Sequence, residues 1–476
     1  MGKGLVILHI DGLGADMLER ALGSDRMPHT RRLVESEGYA LHRYRCGVPS
    51  TTPFAQAGIL YGDNAEIPSF RWWDRQRQVS VQFGARSTFK KVADKYFAGC
   101  SPLTEGGACI AACYPAGAAD DFGISYHERT YAEEKGSRSA WRVVLPYTLN
   151  PLNLSDWAGH AVLSIGRTIG EYASSRSSGR RPAAPYVVSE ALEEIFVHHL
   201  TRFAVKQAMR EGFAPIYAGF YAFDETAHAF GPDDAHCMRM LRHVDHTIHD
   251  IAEARADRYE LVVLSDHGHV PATQFDHLEG AHLGELVSKW MPGFRVEELK
   301  GKAFGPAADV AKGLIKLSYS GGLGHLYLAD NDWRLTVDEV MARYPALVPS
   351  LASSPRLTLV MGRRAGEDVF WSGGSELRGD RLKEALASYD DANILLAQLA
   401  RLNTFEHAGD LVLIAAFERG RQVNFENQLG CHGSIGGEQM HPFVLAKGEW
   451  GLDTSRVHGA HELHPILSDL RDRLSA

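Results

Sequence analysis

Three aspartates and three histidines stand where a fold could gather them into one donor set: Asp11, Asp224, Asp266, His228, His267 and His432. Asp224 and His228 are four apart, so one helical turn would set both side chains on one face. Asp266-His267-Gly268 closes an apolar run, and the glycine permits a tight turn behind the acid and the imidazole. His432 lies between Cys431 and Gly433. Taken singly, each has a plainer explanation: Asp11 as a turn or cap residue, Asp224 and His228 as surface groups, His432 as a loop histidine. Together they make two sets of oxygen and imidazole donors without thiolates, which suits Zn²⁺, with Mn²⁺ or Fe as alternatives. Six protein donors exceed one tetrahedral site, so two divalent ions roughly 4 Å apart, bridged by substrate, are expected.

A hydrolase built on such a pair also needs a nucleophile. Pro49-Ser50-Thr51-Thr52-Pro53 supplies hydroxyls in a turn before the apolar residues 54–61. A hydroxyl on a metal ion loses its proton easily, so no neighbouring general base is required. Ser50 or Thr51 is also expected to cap the helix that follows.

Elements must deliver these groups to one place. Residues 5–10 (LVILHI) read as a short buried strand ending at Asp11-Gly12, with helices from Ala15 and over 29–37. Residues 215–220 (PIYAGF) precede Asp224, residues 259–264 (YELVVL) run into Ser265-Asp266, and residues 410–417 (DLVLIAAF) form a third such run. Acidic or imidazole groups just past strand ends are what a shared active edge of an open α/β sheet produces. The expected fold is therefore α/β, a mostly parallel central sheet with helices on both faces, plus inserted cap regions. Residues 1–64, 211–290 and 403–476 would form the metal-hydrolase core, 65–210 an inserted cap, and 291–402 further insertions and peripheral elements. Residues 174–185 (SSRSSGRRPAAP) look like a mobile connection, and 189–210 like one long amphipathic helix.

The order Asp-Gly, Pro-x-x-Thr, Asp-x-x-x-His, Ser-Asp-His-Gly and His-Gly, running from Asp11 to His432, resembles the alkaline phosphatase superfamily. Its type I phosphodiesterase and nucleotide pyrophosphatase branch is the most similar. The resemblance implies that Asp11, Asp266 and His267 hold one ion together with the Thr52 alkoxide, and that Asp224, His228 and His432 hold the second. It also selects Thr52 as nucleophile, with Thr51 as the fallback. The implied activity is hydrolysis of a small organic phosphodiester through a phospho-threonine. A phosphomonoesterase or phosphonate hydrolase on the same metals is the alternative, and a metal-stabilised binding protein with lapsed catalysis the non-enzymatic one.

One departure from the family pattern bears on substrate. Nucleotide pyrophosphatases carry an Asn after the nucleophile segment that cradles a phosphoryl oxygen. Here residues 67–74 (IPSFRWWD) offer Phe70 and the cation Arg71 instead. Trp72 and Trp73 are expected to pack in the core or cap, with stacking on a base as the other use. Cys46-Gly47-Val48-Pro49-Ser50 lacks the spacing and arginine of the sulfatase signature. His9 reads as a core residue within its strand, His269 as a group supporting the ligands, and His325 as a support or substrate contact.

Charge and composition exclude other classes. A net charge of -9 over 476 residues argues against duplex nucleic acid as partner, and the basic run 176–181 reads as solvated loop charge. The six cysteines include no CxxC pair and read as reduced thiols, which, with no signal peptide or membrane-span pattern, leads to the expectation of a cytoplasmic protein. The apolar stretch 157–169 could touch a membrane surface, although packing against the main domain explains it more simply. A small-molecule phosphoester is the expected partner.

Overall fold

The computed structural model describes residues 2–83, 86–125, 138–155, 195–299, 302–304, 313–387 and 389–476, with isolated positions between 157 and 166. The first apolar run becomes the strand Gly4–Ile10, at the heart of a six-stranded sheet. Side chains alternate across a strand, and here both faces are apolar. Leu5 and Ile7 pack with the helices Thr52–Tyr61 and Leu463–Ser475 on one face. Val6, Leu8 and Ile10 pack with Ala15–Leu22, Ile195–Glu211 and Ala235–Ala254 on the other.

The sheet runs in the order Tyr39–Arg43, Phe443–Lys447, Tyr259–Leu264, Gly4–Ile10, Ile216–Phe220, Ala108–Ile110. Its last four strands are parallel, with Leu8 opposite Ala218 on one side and Val263 on the other. The strands Phe443–Lys447 and Tyr39–Arg43 join antiparallel. Because Gly4–Ile10, Ile216–Phe220 and Tyr259–Leu264 point the same way, Asp11, Asp224 and Asp266 emerge at one edge.

The run 410–417 departs from expectation. Its strand, Leu411–Ala415, lies in a second, eight-stranded sheet, antiparallel to both neighbours. In that sheet only Arg295–Glu298 with Leu314–Ser320 pair in parallel. The architecture is thus mixed α/β rather than mostly parallel. An apolar run buried on both faces records burial but neither partner nor direction, so periodicity alone could not assign it.

The long amphipathic helix is seen as Ile195–Glu211, and its expected beginning lies outside the described residues. Residues 174–185, the basic run within them, and most of 157–169 also lie outside them. No helix among the described residues is long and apolar enough to cross a membrane, and all six cysteines are free thiols.

Candidate metal centre and its nucleophile

Asp11 is followed by Gly12, whose φ of +71° turns the chain away from the strand. A Cβ at Gly12 would sit 2.6 Å from Asp224 Oδ1 and 2.8 Å from His269 Cδ2, so the bare backbone is what admits both groups. Thr52 is the first residue of the helix Thr52–Tyr61, with Pro53 in its first turn. A helix N-terminus favours negative charge, so a hydroxyl placed there would ionise more easily. The expected side-chain cap is absent there: Thr51 sits at the N-cap without a capping bond. The Ser50 hydroxyl instead donates to Ser434 O (2.9 Å) and accepts from Gly433 N (2.9 Å), pinning the His432 loop to the nucleophile turn. Asp224 and His228 share one face of the helix Ala222–Phe230, 3.4 Å apart.

All six expected donors and Thr52 meet at this edge. Thr52 Oγ1 lies 3.1 Å from His267 Nε2 and 3.3 Å from Asp11 Oδ1. His267 Nε2 is 3.4 Å from Asp11 Oδ1 and 3.3 Å from Asp266 Oδ2. Beside them, His432 Nε2 stands 3.1 Å from His228 Nε2 and 3.5 Å from Asp224 Oδ1. Asp11, Asp224 and His267 also bring donor atoms within 4.8 Å of one another, so the two sets are contiguous.

The donor chemistry fits cations. Nδ1 of His228 faces Gly430 O at 3.0 Å and Nδ1 of His432 faces Ser50 O at 2.7 Å. A carbonyl only accepts, so each Nδ1 carries a proton, which leaves Nε2 as the atom a cation would take in the neutral ring. Burial opposes charge on His228, but Asp224 and Glu225 raise the ring above its ordinary value, so the 3.1 Å approach of its Nε2 to His432 Nε2 is one that a shared proton or a cation must hold. Asp266 Oδ2 is likewise buried without a hydrogen-bond partner.

Electrostatics tell the same story. Burial, with Asp266 and Asp224 nearby, pushes the Asp11 carboxyl well above its ordinary value. Burial would also raise Asp224, but His228, His269 and His432 hold it well below. Burial opposes charge at Asp266 too, and His267 and His9 outweigh it. Burial and the nearby His267 drive His432 well down. Three buried carboxylates packed against imidazoles are costly unless compensating positive charge is shared among them.

Two histidines that sequence reasoning gave lesser roles belong here as well. His269 Nε2 lies 2.6 Å from Asp224 Oδ1, and His269 joins Asp224, His228 and His432 in one four-donor group. Burial takes the His269 ring down to about 4, against the pull of Asp224. Its signal was the alternation His267-Gly268-His269, which returns the second ring to the same side two residues on. His9 reaches Asp266. His325 is structural: Nε2 donates to Pro68 O (2.9 Å) and Nδ1 accepts from Gly409 N (3.0 Å).

A cavity of about 650 Å³ opens over Thr52, lined also by Asp224 and His432 and walled by Phe70, Arg71 and Tyr221. Arg71 is 7% exposed; it donates to Glu426 Oε1 (3.0 Å) and Tyr319 O (3.4 Å), which set the plane of its guanidinium. Trp72 and Trp73 are buried in the core, the first edge-on to Phe83, the second under Lys316.

No curated protein matches the chain. Phosphonoacetate hydrolase from Sinorhizobium meliloti 1021, solved with phosphonoformate, shares the fold with a TM-score of 0.53 at 17% identity, over 98% of this chain and 96% of that one. Murine ectonucleotide pyrophosphatase / phosphodiesterase 5 aligns over 99% and 95% at 13% identity, with a TM-score of 0.49. The profile described as type I phosphodiesterase / nucleotide pyrophosphatase matches residues 5–332, most of the chain and every expected site residue except His432. The chain belongs to that family of phosphoester hydrolases.

Proposed function

We propose that this protein is a two-metal phosphodiesterase or pyrophosphatase that hydrolyses a small organic phosphodiester through a covalent phospho-threonine on Thr52. The observation that carries the reading is the Thr52 hydroxyl at a helix N-terminus, within 3.3 Å of both an Asp11 oxygen and the His267 ring. Asp11, Asp266 and His267 would hold one ion beside Thr52, and Asp224, His228 and His432 the other, with Zn²⁺ the expected metal. When bound, the ions acidify the threonine hydroxyl and offset charge on the phosphoryl oxygens. Thr52 Oγ1 forms a bond to phosphorus as the bond to the leaving oxygen breaks on the opposite side. Water then cleaves the Thr52–phosphorus ester and restores the hydroxyl. Parts of regions 65–210 and 291–402 would cap the site, supported by the Phe70–Arg71 and Ser320–Gly321 walls of the cavity, while Ala108–Ile110 and Ile195–Glu211 belong to the six-stranded sheet and its helical cover.

Arg71 takes the place of the phosphoryl-binding Asn, orienting an anionic oxygen of the substrate. It also favours phosphonate hydrolysis as the second reading. The Sinorhizobium meliloti neighbour is named for phosphonoacetate, whose carboxylate is a second anion that such a guanidinium would bind.

The test is a parallel assay of bis-p-nitrophenyl phosphate, p-nitrophenyl phosphate and phosphonoacetate, with bound metals counted in the same samples. Two ions per chain and fastest turnover of the diester are expected. Thr52→Ala should keep both ions and the melting temperature while losing about 10³-fold or more in turnover. Near-normal turnover by Thr52→Ala refutes the covalent role, and full metal occupancy with no turnover refutes the activity.

A further inference from the structure

Beneath the donor set lies a chain of buried polar groups in which His9 and Gln56, unused by the chemistry above, reach the proposed ligand Asp266. His9, Gln56 and Asp266 are each 0% exposed. Gln56 follows Thr52 by one helical turn and so shares its face of the helix Thr52–Tyr61. Its amide orientation is decided by Cys113, whose backbone N–H donates to Gln56 Oε1 at 2.9 Å. The amide nitrogen therefore faces Tyr221 Oη at 2.7 Å and His9 Nδ1 at 3.1 Å.

An amide NH₂ can only donate, so His9 Nδ1 carries the lone pair and a neutral ring keeps its proton on Nε2. That nitrogen lies 3.0 Å from Asp266 Oδ1. The same oxygen accepts from His267 N at 3.0 Å and Gly12 N at 3.3 Å. Two backbone donors thus hold Oδ1, and the His9 ring stands 3.0 Å from it without completing a hydrogen bond, while Oδ2, also buried and without a hydrogen-bond partner, is the atom beside His267 Nε2 at 3.3 Å.

We propose that His9 is a positioning residue: held as the Nε2–H tautomer by Gln56, it engages Asp266 Oδ1 and turns Oδ2 toward the cation that the carboxylate binds. Gln56 makes this device continuous with the helix that carries Thr52, so nucleophile and ligand are oriented by one element. His9 brings a ring nitrogen within 4.8 Å of donor atoms of Asp11 and Asp266; the Nε2–H tautomer is what would keep it a support rather than a ligand. This rests on the two-metal reading of the site. A histidine that only filled the core would be replaceable by any ring of its size.

The experiment compares His9→Gln, whose amide nitrogen falls near the position of Nε2, with His9→Phe, which keeps volume and removes the donor. Zn²⁺ is titrated into metal-free protein, and the metal-free melting temperature is recorded for each. Wild type and His9→Gln should take up two ions. His9→Phe should bind one of them about 10–100-fold more weakly, with a metal-free melting temperature matching that of His9→Gln. Gln56→Met, which leaves His9 in place but frees Nδ1 to take the proton, should weaken the same ion and serves if His9→Phe does not fold. The proposal is overturned if the donor-free variants bind both ions as tightly as wild type, or if His9→Gln is as impaired as His9→Phe. A wild-type protein that binds no ion would instead refute the two-metal reading.

Discussion

Arg71 shows how much one residue can decide about substrate. It stands in the cavity wall of a site whose ligands are otherwise anionic or neutral, almost fully buried and held flat by Glu426 and Tyr319 O. Such a guanidinium costs little further entropy when it binds an anion, because its fork is already oriented. Arg71→Ala should raise KM about 10- to 100-fold for a substrate with a second anionic group. The kcat for a neutral-tailed diester should change much less. Steady-state kinetics on phosphonoacetate and bis-p-nitrophenyl phosphate separate the two: equal losses on both would assign Arg71 to the phosphoryl oxygen rather than to a second anion, and no loss on either would remove it from recognition. At this scale the sequence was most legible where a donor adjoins a strand end or a glycine, as at Asp11, Asp266 and His432. It was least legible at His9 and Gln56, whose partnership crosses from a strand to a helix and leaves no mark in either local pattern.

At the scale of elements, the helix Ala15–Leu22 that follows Asp11 begins at Gly14, which has no side chain to cap it. Glu438 caps it from far along the chain, accepting from Asp16 N at 3.0 Å and Met17 N at 3.3 Å. Burial, with the Asp16 carboxyl beside it, raises the Glu438 carboxyl to about 7 from an ordinary 4.5. A carboxyl raised in the fold is protonated there more readily than in the unfolded chain. The stability it contributes is therefore complete below pH 4.5 and is lost as pH rises through about 7. Glu438→Gln holds the neutral state at every pH, so its melting temperature should rise relative to wild type between pH 5 and pH 8. A pH-independent difference in paired melting curves would show that the proton is not there. Sequence reasoning placed this helix correctly but could not see its cap; of the caps it did assign, Ser50 binds the His432 loop and the Thr51 hydroxyl is buried without a hydrogen-bond partner. Capping rules read neighbours within a few residues, and this fold caps the helix Ala15–Leu22 from far along the chain.

At the scale of the whole molecule, the catalytic edge belongs to one sheet and part of the cavity wall to a hairpin laid on the other. The hairpin strands Arg71–Asp74 and Val79–Gln82 carry Arg71 at one end and lead into Arg75 at the other. Ser318 of the second sheet donates to Arg71 O. Arg75 is buried against Asp410, with NH2 to Oδ1 at 3.3 Å, and donates to Ala408 O at 3.0 Å. Asp410 in turn accepts Leu335 N and Leu328 N, each at 2.7 Å, and immediately precedes the strand Leu411–Ala415. Here the apolar run after Asp410 announced a buried strand, but the acid that ties it to the hairpin reads in sequence as an ordinary strand flank. Asp410→Ala would leave Arg75 charged in the interior and orphan two backbone N–H groups. Removing one partner of a buried pair costs about 3–5 kcal/mol, far more than the pair itself contributes. The six proposed metal donors are carried elsewhere, at the edge of the first sheet, on the helix Ala222–Phe230 and in the loop after Cys431. Asp410→Ala should accordingly lower the free energy of unfolding, read from urea curves at unchanged slope, by that amount and raise KM through the loosened hairpin. The folded fraction should still bind two ions. Loss of metal together with stability would mean that the second sheet holds the donor set itself, and that the division between catalytic edge and recognition wall is wrong.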